Sequence, residues 1–460
     1  MASEIRANQI QSRTGLSTVT FSDTGVTVSN KISAGDTFIK DKFVGLGTIS
    51  TADRNAGVST AVGTIVYNET SGEVQIYKRT SGWVNISNIG DTNSEPLGLT
   101  ASGGVVNDYT SGSEVYRAHI FTSSGTFEVS ALSATLPNSV EYLVVAGGGG
   151  GAVGGGGGGG GAGGLRTNLP GVVDATSNPL TGAVFPVSPG SYTVTVGGGG
   201  AGADNGVDTY GTRGGPSAFG PITSDGGGRG KSTPTAGDSS DGGSGGGGYG
   251  AGPRQPGGSA LPTTPAQGFP GGPGGGGSGY HGGGGGGAGS AGQAGQGTPG
   301  VGGKGGAGVQ VLIAGPPATP QPVGAPGSSG TGWFAGGGGG GGQPPNNTGG
   351  AGGFGPAKGT PYAGGGDGGT AAGGNGDDGT YATGGGGGGG VNPGTGAGGA
   401  GGSGIVVVRY QIGQRATAKA TGGAISYVGS RTIHTFTSAG TFTAPSPLNP
   451  TPLSIEYFMV

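Results

Sequence analysis

Short alternations of apolar and polar residues, each bounded by Gly, Ser, Thr or Asn, fill the chain wherever glycine does not dominate. Thr64-Ile-Val-Tyr-Asn and Glu73-Val-Gln-Ile-Tyr-Lys alternate at period two around Glu69-Thr-Ser-Gly, and Trp83-Val-Asn-Ile-Ser follows the next Thr-Ser-Gly. This spacing predicts a β-meander. Upstream, Ser17-Thr-Val-Thr-Phe and Gly25-Val-Thr-Val-Ser have the same character. Glu141-Tyr-Leu-Val-Val leads into a long glycine-rich segment and Gly404-Ile-Val-Val-Val-Arg-Tyr leaves it. Inside lie Ser191-Tyr-Thr-Val-Thr-Val, Ser217-Ala-Phe-Gly-Pro-Ile-Thr-Ser and Val309-Gln-Val-Leu-Ile. No segment carries a helical period. These five blocks predict a β base at one end, with glycine runs projecting from it and the chain arriving and departing on the same side.

One β pattern occurs twice. His119-Ile-Phe-Thr-Ser-Ser-Gly-Thr-Phe returns as His434-Thr-Phe-Thr-Ser-Ala-Gly-Thr-Phe, and Val140-Glu-Tyr-Leu-Val-Val returns as Ile455-Glu-Tyr-Phe-Met-Val at the same offset. The organisation expected is an arm over 1–35, a meander or hairpin domain over 36–99, and a first β base over 100–146. A glycine-rich domain over 147–404 comes next, then a closing strand and linker over 405–419. Residues 420–460 begin a second base, which the expectation treats as cut short and followed by a further unit of a tandem repeat.

Composition then poses the central question. Glycine supplies 128 of 460 residues, and 108 of these lie between Gly147 and Gly404, in runs such as Gly154–Gly161, Gly282–Gly287, Gly336–Gly342 and Gly384–Gly390. Each glycine loses the most backbone freedom on ordering and buries no side chain. A flexible linker is one reading. The other is a lattice of polyproline-II-like glycine strands, three residues per turn, pairing laterally because no Cβ keeps them apart. Eight glycines would extend roughly 25 Å. A collagen-like stalk ranks last, since the every-third-glycine phase breaks repeatedly, as at Gly271-Gly-Pro-Gly-Gly-Gly-Gly-Ser-Gly-Tyr. The apolar strands and the aromatics among the runs favour the lattice, because a linker has no use for them. The fold class expected is therefore all-β with an extended polyglycine-II lattice and little or no α-helix.

Charge and candidate chemistry narrow the function. Twenty Lys+Arg against 23 Asp+Glu, net −3, argue against nucleic acid as a partner. With no cysteine there is no disulfide framework. No secretory leader or membrane-length apolar run is visible, so an extracellular role would need release by another route, such as lysis. Gly-x-Gly-x-x-Gly patterns carry no information at this glycine content. The nearest phosphate-loop look-alike, Asp225-Gly-Gly-Gly-Arg-Gly-Lys-Ser232, has an aspartate where the first glycine belongs, and Pro234 where a helix should start. His119, His281 and His434 are the three histidines, and two of them are repeat-equivalent. That suits a structural contact better than a metal site or a catalyst. No cofactor and no enzymatic activity are expected. The surface-binding candidates are aromatics set between runs: Tyr280, His281, Trp333, Phe334 and Tyr362. They either stand in recognition loops or cap and underlie the lattice, as expected of Phe354.

Taken in order, Val140-Glu-Tyr-Leu-Val-Val-Ala before the glycines, Ala162-Gly-Gly-Leu-Arg, Tyr192-Thr-Val-Thr-Val-Gly, Ser217-Ala-Phe-Gly-Pro-Ile-Thr-Ser and Gly404-Ile-Val-Val-Val-Arg-Tyr resemble the glycine-rich domain of bacteriophage tail fibres and adhesins. The likeness covers residues 100–412 and is nearest to phages of marine cyanobacteria and related hosts. The start, Ala2-Ser-Glu-Ile-Arg-Ala-Asn-Gln-Ile, and the hairpin from Gly63 resemble virion-attached fibre proteins more loosely. The resemblance implies a polyglycine-II sandwich and a virion structural protein made in the host cytoplasm. It implies attachment to tail, baseplate or other virion proteins by the N-terminal arm. It also implies homotrimers, and receptor binding through loops to a host glycan or outer-membrane protein without membrane insertion. Single-chain adhesin tips in the same group make the trimer the looser implication. A cellular glycine-rich surface protein or ice-binding protein is the alternative.

Overall fold

The computed structural model describes residues 48–51, 65–68, 70, 73–78, 82–85 and, from 98 to 443, all but short stretches at 113, 175–181, 205–208, 234–239, 278–279, 297–299, 316–322, 344–347, 355–361, 371–373, 392–395, 415–421, 423, 429–430 and 437–438. The sequence blocks at 17–21, 25–29 and 455–460 lie outside the described residues. The chain divides into two compact units, 1–89 and 90–460.

In the first unit the expected meander is present. β2 (Ile65–Asn68), β3 (Glu73–Lys78) and β4 (Gly82–Asn85) pair antiparallel in chain order, and β1 (Thr48–Ile49) adds parallel to β2. Asn68 is buried and its amide donates to Gln75 Oε1 at 3.0 Å. A buried polar group of this kind is tolerated only when paired.

The second unit starts with β5 (Thr100–Ser102), β6 (Val105–Ser111), β7 (Glu114–Phe121), β8 (Gly125–Ala131) and β9 (Ser139–Val145). Among the glycines lie β10 (Val153–Gly154), β11 (Leu165–Thr167), β12 (Phe185–Pro186), β13 (Gly190–Thr195), β14 (Ser217–Phe219), β15 (Ile222–Ser224), β16 (Val309–Gln310), β17 (Ala325–Gly327), β18 (Gly330–Phe334) and β19 (Gly390–Val391). β20 (Ile405–Gln414), β21 (Ala424–Val428) and β22 (Arg431–Thr435) follow.

The base has three layers. Its central sheet runs β11-β9-β20-β7-β6, antiparallel throughout, with β12 also on β9. At its centre β9 and β20 are buried on both faces, which is why these two strands read as near-continuous apolar runs. On one face Val140, Tyr142, Val144, Val406, Val408 and Tyr410 meet the second sheet, β15-β14-β13-β8-β5, around Phe127 and Phe219. On the other, Leu143, Val145, Ile405 and Val407 meet Val309, Val311 and Phe334 of the small sheet β16-β18-β17 and its flanks. The five predicted blocks are thus all in the base, distributed over three sheets. β9 and β20 are direct neighbours, Val145 opposite Ile405, so the chain arrives and departs side by side. Phe127 stands edge-on to Phe219 at 5.8 Å and to His119 at 5.1 Å. Each such pair adds about 0.5–1.5 kcal/mol beyond its buried area.

The glycine runs form a lattice, and its rule is visible in one strand. Gly147 and Gly150 donate to the carbonyls of Gly215 and Thr212; Gly148 and Gly151 to Gly402 and Gly399; Gly149 and Ala152 to Gly161 and Gly158. The carbonyls of the same six residues accept, in the same rhythm of three, from 227 and 230, from 200 and 203, and from 387 and 390. One strand therefore bonds to six neighbours, and every third residue faces the same one. That is the symmetry of a three-residue screw. The strand from Gly157 to Gly164 repeats it, with partners at 225–231, 283–286, 384–390, 146–152, 244–247 and 338–341. Every N–H of these buried strands is used, as burial demands.

Close approach explains the composition. A Cβ at Gly151 would lie 1.9 Å from Gly388 O, and one at Gly160 2.0 Å from Gly149 O. Alanine takes a few lattice positions, and Ala146, Ala152 and Ala162 are wholly buried there. Lateral hydrogen bonds contribute about 0.5–1.5 kcal/mol each, while ordering a residue costs about 1–2 kcal/mol. The lattice consequently depends on the base cores to which its strands are tied.

Candidate functional site

The runs carry the chain away from the base and back, so their turns collect at a far end. Ala288, at one end of Gly282–Gly287, packs in the base core, while His281 at the other end bridges Gly342. Gly336–Gly342 leaves the same core after Phe334 and Ala335. About six residues at roughly 3.1 Å each separate the two ends by about 20 Å. Also at the far end are β10 and β19, which pair parallel, and the bridge between Val301 and Thr348.

Several side chains define this far face. Tyr280 is 41% exposed and holds a left-handed backbone (φ 42°), while its carbonyl packs where a Cβ of Gly156 would stand. Tyr249 is mostly buried, with its hydroxyl beside Gly155. Arg254 is exposed on the neighbouring turn. Arg229 lies over the Tyr210 ring at 4.4 Å, and the Tyr210 hydroxyl bonds Thr233 Oγ1. His281 is wholly buried and both its ring nitrogens lack a partner among the described residues. Burial alone lowers its pKa from the usual histidine value.

The five candidate residues do not form one patch. Tyr280 and His281 are at the far face, the first exposed and the second without accessible surface. Trp333 and Phe334 lie on β18 in the base, opposite Gln310 and Val309. Phe334 is fully buried, and Trp333 is half-buried with its ring over Gly327. Tyr362 sits beside them, since Ala363 donates to Pro326 O at 2.8 Å and accepts from Gly336 at 2.9 Å. Phe354 closes a short 3-10 turn. Sequence reasoning passed over Tyr210, Tyr249 and Arg254; their signal is position, midway between runs that start and end in the base.

Polar side chains at the base secure the closing strand. Arg409, almost buried, pairs with Glu141, donates to the Tyr109 hydroxyl and lies 4.3 Å from the Tyr116 ring centre. Burial disfavours its charge, and Tyr109 and Glu141 outweigh that, so its pKa is raised. Burial raises the Tyr109 pKa, against the opposing effect of Arg409. His119 bonds Gly103 O at 2.7 Å and the Tyr410 hydroxyl at 3.1 Å, a contact internal to the base. The phosphate-loop look-alike is a lattice strand: Gly226, Gly228 and Gly230 run extended against the 147–164 strands. Among the described residues no three His, Asp or Glu side chains gather as a metal site, and no helix is long and apolar enough to cross a membrane.

No curated protein and no solved structure matches the chain. The family described as a glycine-rich domain matches residues 122–411, from the β7–β8 turn to the closing strand. That span is well over half the sequence and takes in the lattice and the base from β8 to β20, with β5, β6 and β7 ahead of it, so the chain belongs to the glycine-rich domain family.

Proposed function

We propose that this is a non-enzymatic virion fibre protein of a bacteriophage, mounted by its N-terminal region and touching the host surface through the far face of the glycine lattice. One observation carries the reading. The base gathers chain arrival and departure, and the lattice holds the turns about 20 Å away on a rigid support, with Tyr280 exposed and Arg254 on a nearby turn. Recognition residues characteristically occupy loops on such scaffolds. Tyrosine and arginine provide stacking and hydrogen bonding to a glycan or to an outer-membrane loop. Weak contacts repeated over the fibres of one particle, each fibre a trimer in this proposal, add up to firm attachment.

Adsorption competition tests it. Purified protein at saturating concentration is expected to block phage adsorption to its host, and Tyr280→Ala with Arg254→Ala to weaken the block without lowering the melting temperature. Unhindered adsorption at saturation would overturn the adhesive role.

A further inference from the structure

The sequence repeat is also a structural one. In the first copy Val106 stands opposite His119 and Val105 opposite Ile120; in the second Ile425 stands opposite His434 and Ala424 opposite Thr435. The hairpins share one register, and the first is two pairs longer before its turn. Gly103 has φ 110° and its carbonyl takes His119 Nδ1 at 2.7 Å; Gly422 has φ 111° and its carbonyl takes His434 Nδ1 at 2.7 Å. His119 meets Phe127 edge-on at 5.1 Å and 84°, and His434 meets Phe442 at 5.0 Å and 86°.

The copies differ in what covers them. Phe121 and Phe127 are 4% and 0% exposed, whereas Phe436 and Phe442 are 40% and 37% exposed. In the first copy the cover is known. β20 adds antiparallel to β7, Val408 opposite His119 and Val406 opposite Phe121, and the Tyr410 hydroxyl reaches His119 Nε2 at 3.1 Å. Tyr410 also packs on Phe127. Among the described residues β22 pairs with β21 alone.

We infer that the edge of β22 left unpaired among the described residues, with Phe436 and Phe442, is a strand-addition site for a segment of the β20 kind: consecutive valines ending in Arg-Tyr, antiparallel to β22, with the tyrosine hydroxyl on His434 Nε2. An unpaired strand edge supplies main-chain hydrogen bonds, and pockets for alternate side chains supply selectivity. Here the pocket is built before the strand arrives, because Gly422 and Phe442 already fix the histidine ring. Such a strand would join this hairpin to whichever glycine-rich module contributes it, continuing the fibre by the contact that closes the first module.

The test uses the whole chain and a soluble carrier protein displaying Gly-Ile-Val-Val-Val-Arg-Tyr-Gln, the sequence of residues 404–411. Saturable binding is expected, about three- to tenfold weaker when the displayed tyrosine is phenylalanine, the range for one side-chain hydrogen bond. His434→Ala should abolish that difference while the lattice melts as in the parent. With three histidines in the chain, nitrogen-15 histidine spectra should show the His434 ring shifting on binding and His119 and His281 unchanged. No saturable binding, or equal affinity for the tyrosine and phenylalanine segments, would overturn the inference. So would self-association of the chain through this face, seen in sedimentation and lost in Phe436→Ser.

Discussion

Replacing Gly160 by alanine puts one methyl group where the lattice has no room. Its Cβ would stand 2.0 Å from Gly149 O, and ordinary contact begins near 3.4 Å, so the strands 146–152 and 158–164 would have to separate by more than an ångström. Three hydrogen bonds join them, Ala146 to Gly164 O (3.0 Å), Gly149 to Gly161 O (2.8 Å) and Ala152 to Gly158 O (3.0 Å). A shift of that size carries all three past bonding distance. At about 1 kcal/mol net per bond, less about 0.4–1 kcal/mol from the stiffer unfolded chain, the cost is about 2–3 kcal/mol. The matched control is Gly198→Ala, since a Cβ there meets nothing within 4 Å and the backbone is not left-handed. It should be neutral or slightly stabilising. Thermal melting followed by circular dichroism reads both variants. Gly160→Ala should melt about 3–4 °C below the parent and Gly198→Ala at or just above it. Equal melting of the two variants would refute close glycine packing as the basis of order.

Three further outcomes follow from the base and the far face. Leu143→Ala, in the core shared with Phe334, should cost about 2–5 kcal/mol and lower the melting of the glycine strands with that of the sheets, in one transition. Arg409→Ala strands Glu141, while the Tyr109 hydroxyl loses one partner and keeps Ile313 O at 2.7 Å. Because Glu141 keeps partial solvent access, a denaturant titration should show about 2–3 kcal/mol, below the range for wholly buried pairs. His281 and His119 both have pKa values lowered by burial, so the unfolded chain binds more protons in mildly acid solution. Their stability contribution is complete above the unfolded value near 6.5 and is lost as pH falls from there toward the lower folded values. Melting temperature should therefore drop between pH 7 and pH 5, and less steeply in His281→Phe.

The centre of the β base was legible because β9 and β20 are buried on two faces. An unbroken apolar run such as Ile405-Val406-Val407-Val408 leaves little choice of element, and the meander at 65–85 shows its period and its turns. Which strand neighbours which was not legible, since a glycine run has the same hydrogen-bonding groups on every side and names no partner. The aromatics show the consequence. Trp333-Phe334 and Tyr280-His281 look alike in sequence, each followed by glycines, yet they lie at opposite ends of the lattice. One signal separates them. Between Val309 and Phe334 there is no glycine run long enough to reach the far end, so Phe334 has to remain beside Val309. The burial of His281 had no such signal, because it arises from surrounding backbone, including Gly300, where a Cβ would collide with the ring.

Hydrogen–deuterium exchange of the glycine amides tests the ordered lattice most directly. With every N–H of Gly158–Gly164 committed to a neighbouring strand, these amides should exchange orders of magnitude more slowly than in an unstructured chain, through the same cooperative opening as the amides of β9 and β20. Exchange of the glycine runs at unstructured rates, while β9 and β20 stay protected, would contradict the account.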